Sequence, residues 1–483
     1  MASLAQSLAT GAAAEIGSAV QAKASSAASS AAVAAQEKVQ NAVVTTALSK
    51  APGGSILVTL YNTFKDILRK MKAYYLTLTP QTKFIFIGVI LLLIAGIVLA
   101  IYYSGQKKSP EVLIEESRKQ VDDTAATLGQ VKQGLNVLGI TEGFQDCPAQ
   151  MTTPKEEIKL LNLQPFSLKQ AGFIGSSGGG AELSTGAFDA TSVQRALQAG
   201  IRTFVLQIDS LTTDRTADGF PAVGEPCLLV KNENGDLIST NAGSIQAVCQ
   251  QLADHAFSQT LPQKDDPVLV ILYINRTPAD IVTNTREYIQ FLSKIARQLA
   301  PLAPRHLRLT DRGDFTKQQL EEDLLTLPFT TFQKKFIIAT NADTSPFRKA
   351  EELALTIDTQ LNLDFWSNIR IYKSNAAASL GITNVAPANV TPRFLLFSNS
   401  QITDAVATSE TIKTLSDSIK GKLSMMLPLS TRNPDTIVRD KALDQIGLNI
   451  IPLDIFSYST EFSQAISMPW KTNSWKLKPA LLR

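Results

Sequence analysis

Residues 84–103, FIFIGVILLLIAGIVLAIYY, form an unbroken run of twenty residues without a charge, bounded by Lys83 on one side and Lys107-Lys108 on the other. Twenty helical residues rise about 30 Å, the hydrocarbon thickness of a bilayer. A soluble core helix of this length keeps a polar stripe, and this run has none. It also lies too far into the chain for a cleaved secretory signal. The sequence therefore predicts a single-pass membrane protein with its transmembrane helix at 84–103. Orientation stays open. Arg69, Lys70, Lys72 and Lys83 precede the run and Lys107, Lys108, Arg118 and Lys119 follow it, so the basic-residue rule assigns no side to the C-terminal part.

Residues 1–50 are rich in Ala and Ser, with a thin stripe of Leu4, Leu8, Ile16 and Val20. Such an arm is either disordered or helical only against a partner. After Pro52-Gly53-Gly54 the pattern changes. Over 55–78, Leu57, Leu60, Phe64, Ile67, Leu68 and Met71 fall at helical spacing beside Lys65, Arg69, Lys70 and Lys72. This predicts a basic amphipathic helix lying in the headgroup region. Residues 110–153 read as a helical stalk and linker. Ile114, Val121, Leu128 and Leu135 recur every seven residues, which fits either a short coiled coil or a helix packed on the domain that follows. Gly129 and Gly134 favour the second.

A net charge of +3 gives no reason to expect a nucleic-acid partner. Three cysteines, Cys147, Cys227 and Cys249, are too few for a disulfide framework or a thiolate metal site.

From 154 to 483 short apolar runs alternate with helical patterns. Strands are expected at Phe173-Ile174, 203–208, 268–274, 336–339, 369–372, 394–397, 423–427 and 450–453, and helices at 192–199, 245–257 and 279–300. Eight buried strands alternating with helices predict an α/β fold of the TIM-like (β/α)8 barrel type.

Several segments of this region resemble, in order, the catalytic X and Y regions of eukaryotic phosphoinositide-specific phospholipase C. Gln164-Pro165-Phe166-Ser167 and Gly172-Phe173-Ile174-Gly175-Ser176-Ser177 are similar to its opening "QPLS…YFISSSHNTY". Ala196 to Leu206 resembles "ALxxGCRCVELD", and Asp254-His255-Ala256-Phe257 with Val270-Ile271-Leu272 resembles "EHAF…PVILSIEN". Leu423-Ser424, Pro428 and Thr431-Arg432 are similar to "QLSRIYPKGTR", and Leu477 to Arg483 is similar to the closing "YVLKPEFLR".

The resemblance implies a barrel of the phospholipase-C-like phosphodiesterase type. That family works with two histidines and a calcium ion held by Asn, Glu and Asp side chains. Here the first histidine falls at Gly178 and the adjoining calcium-binding Asn at Gly179. The acidic ligands fall at Val205, Gln207 and Asn275, and no histidine occurs between Val230 and Asn234. Of the headgroup-reading positions, the two lysines become Ala339 and Asn341, and an Arg and a Tyr become Met425 and Leu427; only Ser374 matches. The histidines that do exist, His255 and His306, read as packing or surface residues. A positioned acid or base contributes roughly 10²–10⁴ in rate, so a site lacking all of them is expected to be inactive, with no cofactor and no metal, and with an apolar mouth at Met425 and Leu427.

Three functions follow as expectations. The first is a membrane-anchored, non-catalytic scaffold or interaction protein of an organelle or a membrane-containing virion, with the bilayer and other proteins of an assembly as partners. The second is a pseudoenzyme receptor for a lipid or small ligand, its apolar site lined by Met425, Leu427 and Val205. The third is a surviving phosphodiesterase using other acids such as Asp209 or Asp280.

Overall fold

A computed structural model describes residues 110–137, 158–176, 182–307, 324–349, 358–374, 382–383, 391–458, 463, 467–470 and 473–483. The expected arm (1–50), basic amphipathic helix (55–78) and transmembrane run (84–103) lie outside these residues. Among the described residues no helix is long and apolar enough to cross a membrane. The residues from Lys108 to Arg483 form one compact unit.

The elements follow in chain order: α1 (Pro110–Val137), β1 (Leu163–Pro165), β2 (Ser167–Leu168), β3 (Phe173–Ser176), β4 (Thr185–Phe188), α2 (Ser192–Gln198), β5 (Thr203–Asp209), β6 (Cys227–Leu228), α3 (Ile245–His255), β7 (Val268–Ile274) and α4 (Thr285–Gln298). Then come β8 (Phe336–Thr340), α5 (Leu363–Trp366), β9 (Ile369–Arg370), β10 (Tyr372–Lys373), β11 (Phe394–Ser398), α6 (Asn399–Ala405), α7 (Ser409–Ile419), β12 (Leu423–Leu427), α8 (Thr436–Lys441) and β13 (Trp475–Leu477).

The expected alternation of strand and helix is present. The strands form two open parallel sheets, in the orders β2-β5-β7-β8-β9 and β10-β11-β12, with β6 antiparallel to β5. Among the described residues no continuous ladder makes a single eight-stranded sheet of them. The 369–373 segment serves both sheets: Ile369 pairs with Ala339, and past Ile371 the partner becomes Leu395. The apolar run expected as a strand at 450–453 makes only two isolated parallel bridges, Ile450 to Met425 and Leu453 to Leu168. These link the outer strands of the two sheets, β12 and β2.

Side-chain parity explains the layers. Val205, Leu269, Ile271, Tyr273, Ile337 and Ala339 point to one buried cluster. Their neighbours Phe204, Leu206, Val270, Leu272 and Ile338 point to another, shared with the helices. Strands covered on both faces need apolar residues at every position, and β7, VLVILYI, is buried throughout.

Two expectations are corrected. Phe173-Ile174 belongs to the antiparallel hairpin β3–β4, and the first parallel strand is Ser167–Leu168. In the hairpin Gly175 and Gly186 face each other, because a Cβ on Gly186 would run into the Phe173 ring. The helix expected over 279–300 starts only at Thr285. Asp280 takes the Val282 N–H instead, and Asn284 caps Glu287 N. Helix α4 ends at Gln298, just before Pro301. The 110–137 helix packs on the domain. Val121 and Ala125 are buried in the helix-side cluster, and Asp122 pairs with Arg195 of α2 at 2.6 Å.

The two ends of this region meet at the base. Strand β1 pairs antiparallel with β13. Trp470 stacks on Phe166 with ring centroids 5.2 Å apart, and its Nε1–H donates to the Gln164 carbonyl at 2.8 Å. Trp470→Ala is expected to cost about 3–5 kcal/mol, a large cavity plus a lost buried hydrogen bond. Urea unfolding of the purified protein, compared with Trp470→Phe as the milder change, measures it.

Candidate functional site

The C-terminal ends of β5, β7, β11 and β12 open on a cavity of about 940 Å³. This is the end of parallel strands where ligands commonly bind, since the loops there are free to diversify over a fixed frame. Asp209 stands at the end of β5 with its side chain only 4% exposed. Its Oδ2 receives the Lys231 Nζ at 2.8 Å, and its Oδ1 receives the Arg276 Nε at 3.3 Å and the Ser210 N–H at 2.7 Å. Lys231 comes from the turn after β6, and Arg276 from the end of β7.

Two buried side chains hold the walls. Asn341, beyond β8, accepts from Ile274 N at 2.8 Å and donates to Ile274 O at 2.9 Å. It thereby clamps the end of β7 and sets where Asn275 and Arg276 emerge. Lys169, fully buried after β2, donates to the carbonyls of Leu429 and Arg432 at 2.9 and 3.0 Å, fixing the loop after β12. Burial lowers its ammonium pKa from 10.5 to about 8, against the pull of Asp454 and Glu233. Across the rim Glu233 accepts the Thr431 hydroxyl at 2.8 Å. Burial opposes its ionisation, but hydrogen bonds from Thr431 and the nearby Arg432 charge outweigh this and hold the carboxyl below its ordinary range. Capping places the remaining wall: Ser398 and Gln401 form a reciprocal box that starts α6 directly at the end of β11, bringing Asn399 and Ser400 to the cavity.

The residues singled out from the sequence separate into groups. Gln207, Asn275 and Leu427 line the cavity. Val205, Ala339 and Met425 lie fully buried in the inner apolar cluster. Asn341 is the clamp just described. Ser374 lies elsewhere, accepting from Gln401 Nε2 at 3.0 Å beside a separate groove between β11 and the helices α6 and α7. Gly178 and Gly179 fall outside the described residues.

The expected apolar mouth is corrected. Met425 and Val205 are buried in the core, and the cavity wall carries Asp209, Lys231, Glu233, Arg276 and Asp280. Asp209 and Asp280, the acids named for the third expected function, both line the cavity, together with Glu233. Sequence reasoning missed Lys231 and Arg276. The first lies between Val230 and Asn234, where the resemblance implies only the second histidine, and the second directly follows Asn275. His306 is buried, with Nε2 at 2.8 Å from the Trp366 carbonyl oxygen. His255 ends α3. Neither lines the cavity. Cys227 and Cys249 are free, buried thiols, and burial raises each to about 12.

No protein-family model matches the chain, and no curated protein matches it. Among solved structures, PLC21 of L. pealei is 14% identical, with 70% of this chain and 41% of that one covered at a TM-score of 0.42. PLC21 of S. officinalis is 14% identical, with 70% and 40% covered at 0.39. A calcium-dependent phosphoinositol-specific phospholipase C from Pseudomonas sp is 8% identical, with 67% and 97% covered at 0.35. These neighbours are phospholipase C structures, and the match spans about two fifths of the two PLC21 chains.

Two outcomes follow from the site. Lys231→Met leaves the Asp209 carboxylate buried with one cation fewer and is expected to cost about 1–3 kcal/mol in urea unfolding at neutral pH. For Lys169, the unfolded chain holds a proton between about pH 8 and pH 10.5 that the folded chain has released, so this group's contribution to stability rises with pH across that window. Subtracting the unfolding free energy of Lys169→Met from that of the wild type at pH 8 and again at pH 10 should give a difference that grows with pH.

Proposed function

We propose that this chain is a non-catalytic relative of the phospholipase-C-like barrel phosphodiesterases. In this reading it is held at a bilayer by residues 84–103 and works as an interaction protein of a membrane-associated assembly. One observation carries the reading: the acid at the head of the cavity, Asp209, has its oxygens engaged by Lys231, Arg276 and the Ser210 N–H. To accept a proton or grip a cation it would first have to give up an ion pair.

The calcium ion implied by the resemblance also finds a poor donor set. Val205 offers no side-chain oxygen, and Gln207 and Asn275 offer neutral amides where a hard divalent cation favours carboxylates. Among the described residues no three His, Cys, Asp or Glu side chains are grouped to share a metal ion. The residues present therefore do not fit that ion, and no step is routed through it. The anchor rests on the charge-free length of 84–103, and the two ladders with their linking bridges are read as a TIM-like barrel.

A second reading, that the cavity recognises a small ligand, is favoured by its volume of about 940 Å³, within the range of ordinary ligand sites. Its charged lining replaces the apolar ligand expected from the sequence with a polar one.

The purified protein supplied with calcium and a phosphoinositide, or with a glycerophosphodiester, is expected to show no turnover above the rate without protein. Calcium-dependent turnover that disappears in Asp209→Asn would overturn the proposal. Removal of 84–103 is expected to move the protein from the alkali-resistant membrane fraction to the supernatant.

A further inference from the structure

At the opposite end of the strands, where β12 begins and β13 ends, lies a smaller cleft of about 260 Å³. That is several times the about 30 Å³ that one water occupies in the liquid. Lys159, Lys420, Lys422, Lys478 and Arg483 line it, and no carboxylate side chain does. Three of the cations are engaged locally. The Arg483 Nε donates to the Lys478 carbonyl at 2.7 Å. Lys420 pairs with Asp417 at 2.8 Å, and Lys422 donates to the Ser418 carbonyl at 2.9 Å, at the C-terminal turn of α7.

Lys478 is different. It is 4% exposed, and its Nζ donates to a single acceptor among the described residues, the Asn449 Oδ1 at 3.0 Å. That oxygen is neutral and already accepts from Ser424 N and Ser424 Oγ. An ammonium has three donors, so this one is buried beside a cleft of like charge with most of its donor capacity unanswered. Burying an uncompensated charge is costly, and desolvation accordingly lowers the Lys478 pKa to about 7. A bound anion would supply both the missing acceptors and the missing charge.

We infer that this basal cleft is an oxyanion site that takes a phosphate group, with Lys478 at its floor and Lys159 at its rim. The site is separate from the cavity at the other end and does not depend on the proposed function. A free phosphate and the phosphomonoester of a lipid headgroup present the same oxygens, so the test uses both.

The full-length protein in detergent would be titrated with inorganic phosphate, and separately with short-chain phosphatidic acid, while its thermal unfolding is followed. A saturable rise in midpoint is expected with at least one of them, and sodium chloride at equal ionic strength should not reproduce it. Response to inorganic phosphate assigns a soluble oxyanion; response to the lipid alone assigns a headgroup. The response should vanish in Lys478→Met, weaken about tenfold in Lys159→Gln, as befits one charge-assisted hydrogen bond, and persist in Arg276→Gln at the other cavity. If Lys478→Met does not fold, the pair Lys159→Gln at an exposed position and Lys422→Gln at a half-buried one carries the test. No saturable response to either probe, an equal response to chloride, or a response lost in Arg276→Gln but kept in the basal variants would overturn the assignment.

Discussion

Burial of parallel strands on both faces is the constraint from which the rest of this structure follows. Each residue of β5 and β7 must go either into the inner cluster or under the helices, and both destinations exclude water. That requirement fixes register, because slipping a strand by one residue exchanges its two faces. Val205 and Ile271 are partners across the ladder, and so are Phe204 and Val270, each pair entering its own layer. Polar residues enter the inner set only at the strand ends, where Gln207 and Asp209 continue the parity of Val205. The chemistry of the cavity is thus the last step of the pattern that builds the core.

That position shapes the electrostatics. Asp209 is buried nearly as deeply as its apolar neighbours, and burying a carboxylate is tolerable only with charge and hydrogen bonds to match it. Lys231 and Arg276 provide the charge from two different loops. The ion pairs therefore tie the turn after β6 and the end of β7 to β5, and the cavity wall is a set of loops held by mutual neutralisation as well as by packing. Asn341 and Lys169 play the neutral and cationic versions of the same part, each satisfying backbone groups of a segment that the regular ladders leave behind.

Much of this was legible in the sequence, and the boundary of legibility is physical. The continuous apolar runs at 268–274 and 423–427 read as buried strands and are strands with those limits. The run at 450–453 reads the same way, yet it makes two bridges and no ladder, because apolar content reports burial and says nothing of pairing. Gln207, Asn275 and Leu427 were found through their motifs. Lys231 and Arg276 were not, since an ion pair between residues 22 or 67 positions apart leaves no local periodicity. The apolar mouth expected from Met425 failed for a similar reason. A residue type at a motif position does not tell how deep the position lies.

The Ile450–Leu453 connection has a consequence for how the molecule comes apart. Elsewhere neighbouring strands share runs of successive backbone hydrogen bonds, whereas here one bridge to β12 and one to β2 join the two sheets. Lys169 N donates to Leu453 O and Leu453 N to Ser167 O, so the stretch next to the buried lysine is also the seam. Cooperative opening starts where the fewest bonds must break together. The amide protons of this seam are the ones that solvent deuterium should reach ahead of those in β5 and β7, and a swing there would carry the loop after β12 away from the rest of the rim.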